Sequence, residues 1–162
     1  MIEKLKLLDA ELEKEDKLSA EVLNQLILAC LPCIGQYDPK IRDERGYPLL
    51  AESLRNEKCS NDTRQAVFSS LTSDQYLFYK INDGESDDSV RRSFSLLALA
   101  ECLAGDKSVQ HLVAQIPSLI ELLKKYRELE KDLREETPEL GYIDAIGHLE
   151  MLEKSIADYR KG

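Results

Sequence analysis

The sequence contains no tryptophan, and all aromatic residues together make up only 6% of the chain. Proteins that stack bases or sugars rely on exposed aromatic rings, so this composition argues against both kinds of surface. Basic residues are also in the minority, with 22 Lys and Arg against 31 Asp and Glu and a formal net charge of -9. Such a surface repels phosphate backbones and anionic lipid headgroups, so we expect no nucleic acid and no membrane as partner. A protein or peptide partner, especially a basic one, is favoured.

Long apolar runs are missing as well. No stretch reaches the roughly 18 consecutive apolar residues of a membrane helix. The opening segment "MIEKLKLLDAELEKED" lacks the apolar region of a signal peptide. We therefore expect a cytoplasmic protein whose four cysteines are reduced thiols. The length of 162 residues fits one domain, so we predict a single all-α domain over residues 1–162.

Histidine is scarce too, since His111 and His148 are the only two. A His-rich metal site is therefore excluded, and no glycine-rich phosphate loop is present. Cys30 and Cys33 have the spacing of a redox pair, but they follow a predicted amphipathic helix and not a strand. Two buried structural thiols are the better interpretation. We expect no cofactor and no metal.

What the sequence does have is helical periodicity. Apolar residues recur at helical spacing along nearly the whole chain, and no segment alternates as a strand would. This pattern predicts an all-α fold of about seven or eight helices joined by short loops. We favour an α-α superhelix, a HEAT-like stack of helical hairpins, and an irregular helical bundle is the alternative. Ser19 and Asp38 are predicted N-caps, Pro32 is predicted to end a helix, and Gly46-Tyr47-Pro48 is predicted to interrupt one.

Three further helix boundaries can be predicted from the sequence. The segment "SDQYLFYKI", which begins at Ser73, has the pattern of a helix. A long amphipathic helix is expected to start at Pro117, with an apolar stripe that continues to Leu133. The last helix is expected to begin at Thr137-Pro138.

One predicted helix is apolar nearly all round, from Ser93 to Leu103. Such a helix is expected to lie at the centre, covered on more than one side. It is preceded by two adjacent arginines, which could form an anion pocket at the helix N-terminus or anchor the helix through an ion pair. Asp43 and Asp132 are candidate partners for Arg92. Composition favours the anchor, because structural ion pairs outnumber sites.

A second candidate pair lies near the end of the sequence. Asp144 precedes His148 by four residues, which places both on one face of a predicted helix. The pair could hold a metal or a proton, but a local helix contact is the commoner outcome.

Four segments carry a resemblance to a known family: "IRDERGYPLLAESL", "DDSVRRSFSLLALAECLAGD", "YRELEKDLREE" and "LGYIDAIGHLEML". The chain resembles the bacterial domain-of-unknown-function 2785 family from Ile41 to the end of the last predicted helix, which is about three quarters of the length of the chain. The family pattern has an Arg-Asp followed by an aromatic residue, an Arg-Ser-Phe-Ser and a Glu-x-Asp-x-Arg-Gly. It ends with a Gly-Trp-x-His-x-x-x-His that is followed by an Asp. The resemblance implies a helical fold and no established activity.

The family motifs and the polar residues beside them define one candidate polar cluster. Its members are Arg42, Asp43, Arg92, Ser93, Ser95, Glu130, Asp132, Arg134, Asp144 and His148. The chain departs from the family pattern at four positions, where Glu135 replaces Gly, Tyr142 replaces Trp, Asp144 replaces the first His and Met151 replaces the trailing Asp. It therefore resembles a divergent member, in which a His-pair site would be incomplete.

Three functions fit these observations. The leading hypothesis is a non-enzymatic protein-binding module, by analogy with other helical stacks. One alternative is an acidic inhibitor or immunity-type protein that binds a basic partner. The other is a hydrolase-like enzyme with a polar pocket around Arg92, Asp144 and His148. The sequence leaves open whether the polar cluster is a site or a buried network that docks the helices.

Overall fold

The computed structural model describes residues 1–14, 19–81 and 84–162, and in these the chain is mostly helical. The helices are α1 Ile2–Leu12, α2 Ala20–Cys30, α3 Pro39–Ile41, α4 Tyr47–Arg55, α5 Asn61–Leu71, α6 Ser89–Asp106, α7 Ile116–Leu129 and α8 Ala145–Arg160. The prediction of an all-α fold is confirmed. No helix in the described ranges is long and apolar enough to cross a bilayer.

Short irregular elements connect these helices. The 3-10 segment Leu31–Gly35 follows α2, the π-helical segment Arg42–Gly46 joins α3 to α4, and the 3-10 segment Val113–Gln115 precedes α7. Strands β1 Glu136–Thr137 and β2 Gly141–Tyr142 form a small antiparallel hairpin before α8.

Several predicted helix boundaries are confirmed. The Ser19 hydroxyl accepts a hydrogen bond from the N–H of Val22 and caps α2. The Asp38 carboxylate caps α3 in the same way. At the predicted interruption the chain stays helical but widens into the π segment, which accommodates Pro48 despite its missing N–H. Gly46 permits this route, because a Cβ there would lie 2.4 Å from the Cβ of Cys33.

The apolar helix is central, as expected. Helix α6 packs against α4, α5, α8 and the segment Leu31–Gly35. Buried apolar residues from Leu5 to Tyr159 form one contiguous cluster. Within it α2 packs on α4, α4 on α6 and α6 on α8, while α1, α5 and α7 each pack against the next even-numbered helix.

The predicted helix over "SDQYLFYKI" is wrong. Residues 73–80 form a run of turns, and Lys80 adopts a left-handed conformation with φ 45. The backbone carbonyls of Tyr79 and Lys80 accept hydrogen bonds from the Arg92 guanidinium, at 2.9 and 3.4 Å. A tertiary contact therefore overrides the local helical pattern here.

The long amphipathic helix is shorter than predicted. Helix α7 ends at Leu129, and Glu130 turns to an extended conformation with φ -72 and ψ 116. This turn brings the Glu130 carboxylate to Arg92. Leu133, which the predicted stripe included, is 66% exposed.

The last helix starts later than predicted. Thr137 belongs to the β-hairpin, where it pairs with Gly141. Helix α8 begins only at Ala145, after Asp144 at φ 33. The Asp144 side chain accepts the N–H of Gly147 and so caps the helix.

Candidate functional site

The polar candidates gather where residues 130–144 cross the N-terminal end of α6. We call residues 130–144 the strap. It leaves α7 at Glu130, forms the β-hairpin and enters α8 after Asp144. Leu140 and Ile143 of the strap bury against Val90 in the first turn of α6. The strap therefore covers the start of the central helix.

Arg92 fastens the beginning of the strap. Its side chain is fully buried, and Nε and Nη2 donate to the two carboxylate oxygens of Glu130 at 2.7 and 2.9 Å. Nη1 donates to the Tyr79 carbonyl at 2.9 Å, and the Tyr126 hydroxyl donates to Glu130 at 2.8 Å. Burial, reinforced by the Glu130 charge, raises the pKa of Tyr126, so the phenol remains a donor. This bidentate, charge-assisted pair leaves both groups occupied.

Asp132 makes the next attachment. Its carboxylate accepts from Arg134 Nε at 2.9 Å and Nη2 at 2.7 Å, and from the backbone N–H of Ser86 at 3.1 Å. Burial acts to raise the pKa of Asp132, but these hydrogen bonds outweigh it and hold the pKa at about 2. The carboxylate thus ties the loop before α6 to the strap.

Arg42 holds the middle of the strap from the other side. Its guanidinium is fully buried and donates to Asp43 Oδ1 at 2.8 Å, to the Gln36 carbonyl at 2.9 Å and to the Leu140 carbonyl. Gly141 follows at φ 68, and a Cβ there would lie 3.3 Å from Asp43 Oδ2. The glycine of the family motif is therefore required both by its backbone conformation and by this close approach.

His148 is a buried neighbour of this second group, 8% exposed. Its Nδ1 lies 3.3 Å from the carbonyl of Ser93, and its ring packs edge-on against Phe94 with the centroids 5.4 Å apart. Burial lowers the pKa of His148 and outweighs the Ser93 carbonyl and the charges of Asp144 and Asp43, which act to raise it. The imidazole is therefore neutral near pH 7, with Nδ1 as donor.

The side chains of Asp144 and His148, the candidate pair on the last helix, form no hydrogen bond and no ion pair with each other, although the charge of Asp144 acts on the imidazole. The Asp144 carboxylate caps α8, whereas the His148 ring points to the Ser93 carbonyl. In the described part of the chain, no three His, Cys, Asp or Glu side chains are arranged to hold a metal ion.

The two serines of the motif are buried within α6. Ser93 Oγ donates to the Val90 carbonyl at 3.3 Å, and Ser95 Oγ donates to the Arg91 carbonyl at 2.6 Å. Each hydroxyl therefore bonds the preceding helical turn and is not presented to a ligand.

Apart from the two serines, the cluster thus falls into two groups of interacting residues. One contains Arg92, Glu130, Asp132 and Arg134, and the other contains Arg42, Asp43, Asp144 and His148. The carboxylate partner of Arg92 is Glu130, so the candidates Asp43 and Asp132 were wrong for it. Both groups bind parts of the protein itself.

The four cysteines are all free and buried. Burial raises the pKa of Cys30 to about 12 and also raises that of Cys33. A thiol that stays protonated is a poor nucleophile, so this pair has the properties of structural residues.

Residues 77–160 match the model of a family described as "Protein of unknown function (DUF2785)". The chain belongs to this family. The matched span contains the strap and all of α6, while Arg42 and Asp43 precede it. Neither the curated proteins nor the solved structures include a match to the chain.

Sequence reasoning missed a polar contact at the other end of α6 in this DUF2785 member. Asp106 is fully buried, where it accepts from the Tyr159 hydroxyl at 2.6 Å and from the Leu112 N–H at 2.8 Å. Nearby, the buried Arg64 donates to the carbonyl of Leu54. Gly105 precedes Asp106 in the sequence, and a Cβ there would lie 2.1 Å from that carbonyl oxygen, so this glycine marks the close approach of α6 to the end of α4.

Proposed function

We propose that this chain is a non-enzymatic, cytoplasmic protein-binding module built as a HEAT-like stack of helical hairpins. The series of contacts α2 to α4 to α6 to α8, with α1, α5 and α7 flanking it, supports a repeat-like arrangement. The four buried free thiols fit a reducing compartment.

A groove between α7 and α8 carries this proposal. It has a volume of about 470 Å³. Its apolar part is formed by Ile120, Leu123, Ile156 and Ala157, and its rim carries Lys124, Arg127, Glu128, Glu153 and Arg160. An apolar floor between two helices, edged by charges, is the setting in which an amphipathic partner helix buries its apolar face. The groove is thus the candidate binding surface.

The internal partners of the strap residues argue against the hydrolase-like alternative. The hydrolase-like alternative needs Arg92, Asp144 and His148 to converge on one cavity. Instead Arg92 is closed off by Glu130, Asp144 caps α8, and the His148 ring bonds the Ser93 carbonyl. We therefore do not propose a catalytic role for them.

The distribution of charge favours a second candidate, an acidic inhibitor that binds a basic protein. Helices α7 and α8 carry five basic and five acidic residues, so the net charge of -9 belongs to the rest of the chain. A basic partner would be attracted to that remainder and not to the groove.

Affinity capture with two matched variants separates these functions. Ala157→Arg places a large charged side chain in the groove, whereas Ala66→Arg makes the same change at an exposed position on α5. We expect a partner protein that quantitative mass spectrometry finds with wild type and Ala66→Arg but not with Ala157→Arg, and direct binding of the purified partner should confirm it. A partner that Ala157→Arg retains and that high salt releases would favour the acidic inhibitor.

A further inference from the structure

Arg91 lies beside Arg92 in sequence but faces a different part of the molecule. It borders a small cavity of about 200 Å³. The lining residues are Gly35, Gln36, Tyr37, Tyr79, Asp88 and Arg91. The Arg91 guanidinium carbon lies 3.9 Å from the centroid of the Tyr79 ring, and a Cβ on Gly35 would lie 2.3 Å from its Nε. The ring and the bare glycine backbone therefore hold the guanidinium in place at the cavity.

The donors of this guanidinium are largely uncommitted. Within the described residues Arg91 pairs with no carboxylate, and its one hydrogen bond is a long one, 3.4 Å from Nη1 to the Gln75 carbonyl. Asp88, one helical turn earlier, accepts from the Tyr37 hydroxyl at 2.6 Å and from Ser86 Oγ at 3.4 Å instead. An arginine that is held in place and that pairs with no acidic residue of the described ranges can bind the oxyanion of a ligand.

We propose that the Arg91 cavity binds a carboxylate group, supplied either by a small carboxylic acid or by the C-terminus of a peptide. A planar carboxylate matches the fork of one guanidinium. Asp88 lines the same cavity, and the charge of Asp87 also reaches it at Tyr37. These two negative charges disfavour a phosphate dianion more than a singly charged carboxylate.

Tyr37 binds the Asp88 carboxylate at the same cavity. Its hydrogen bond to Asp88, followed by its partial burial, raises the pKa of Tyr37 to about 12, so the phenol stays protonated and continues to donate. The Asp88 carboxylate is therefore bonded to Tyr37, and the Arg91 guanidinium remains available for a ligand. The proposal goes beyond the α7–α8 groove and does not depend on it.

Amide NMR titration with N-acetylglycine tests the cavity directly. We expect saturable shifts at Gly35, Gln36 and Arg91 in the full chain. Arg91→Ala should weaken binding by about tenfold or more. Asp88→Asn should strengthen it several-fold, because a neighbouring negative charge is removed. Arg55→Ala is the matched control and should leave binding unchanged, since Arg55 is exposed and pairs with Glu101.

Two further variants keep the test independent of folding defects. Arg91→Lys retains the charge but loses the planar fork, and Gly35→Ala displaces the guanidinium from the cavity. Both should weaken binding while the melting temperature stays near that of wild type. Absence of saturable shifts in wild type, or unchanged binding in Arg91→Ala, would overturn the proposal. Inorganic phosphate that binds more tightly than N-acetylglycine would overturn the choice of carboxylate.

A short peptide with a free or an amidated C-terminus identifies the source of the carboxylate. Tighter binding of the free-acid peptide than of N-acetylglycine, lost on amidation, assigns the site to peptide C-termini. Equal binding of the two acids assigns it to small carboxylic acids. Ala157→Arg leaves this cavity intact, so the groove and the cavity succeed or fail separately.

Discussion

Arg91 and Arg92 are consecutive residues at the start of one helix, yet their surroundings differ completely. Arg92 is fully buried and bonds both oxygens of Glu130, whereas Arg91 is partly exposed, lies on Tyr79 and pairs with no carboxylate in the described residues. A helix turns by about 100° per residue, so neighbours face different elements. The comparison shows that the role of an arginine is decided by the elements that pack against it. Its residue type and its position in a motif are not sufficient.

The largest effect is expected where the buried pair is broken. Arg92→Ala should lower the free energy of unfolding by about 3–5 kcal/mol, because the Glu130 carboxylate is left buried without its cation. Urea denaturation of wild type and variant measures this loss. The double variant Arg92→Leu and Glu130→Leu should recover much of it, since no charge then stays buried. A loss below about 1 kcal/mol, the range of exposed pairs, would show that Arg92 does not anchor the helix.

The apolar part of α6 provides a second stability measurement, with which the loss in Arg92→Ala can be compared. Leu97 is buried in the core cluster, so Leu97→Ala should cost about 2–5 kcal/mol through lost burial and a residual cavity. The same denaturation experiment applies. Leu28 is 67% exposed, and Leu28→Ala should change stability by no more than about 0.5 kcal/mol. Equal effects of the two truncations would contradict the placement of α6 at the centre.

Acidification should lower the stability of the fold through His148, which belongs to the group that contains Arg42, Asp43 and Asp144. In the unfolded chain His148 titrates near 6.5, and in the folded protein its pKa is lower. Between these two pKa values the unfolded state binds more protons than the folded state. The contribution of neutral His148 to stability is therefore complete above pH 6.5, and it is lost as the pH falls from 6.5 through the folded pKa. The fall in urea midpoint from about pH 7.5 to about pH 5.5 should be smaller in His148→Gln than in wild type. His111→Gln changes an exposed histidine and should leave the fall unchanged.

The sequence predicts α6 well and the strap poorly, for a physical reason. The α6 pattern is local, since apolar residues on all sides require a central helix. The path of the strap depends on Glu130, which lies 38 residues after Arg92 in the sequence. The Glu130 carboxylate reaches Arg92 because the chain leaves the helix at this residue. The segment "RELEKDLREE" consists mainly of good helix formers, but one buried ion pair outweighs that preference and ends α7. The family motif marked both residues without indicating that they meet.

The smallest stability effect is expected at Arg91, which completes the contrast with its neighbour. Arg91→Ala leaves no buried charge unpaired, because the guanidinium has no carboxylate partner among the residues that the structure describes. It removes a stacking contact with Tyr79 and one long hydrogen bond, so the loss should be about 1 kcal/mol or less. Urea denaturation beside Arg92→Ala measures both in one series. A loss as large as that of Arg92→Ala would show that Arg91 is a second anchor. A residue that is held in place for a ligand should instead show a small loss of stability together with abolished carboxylate binding.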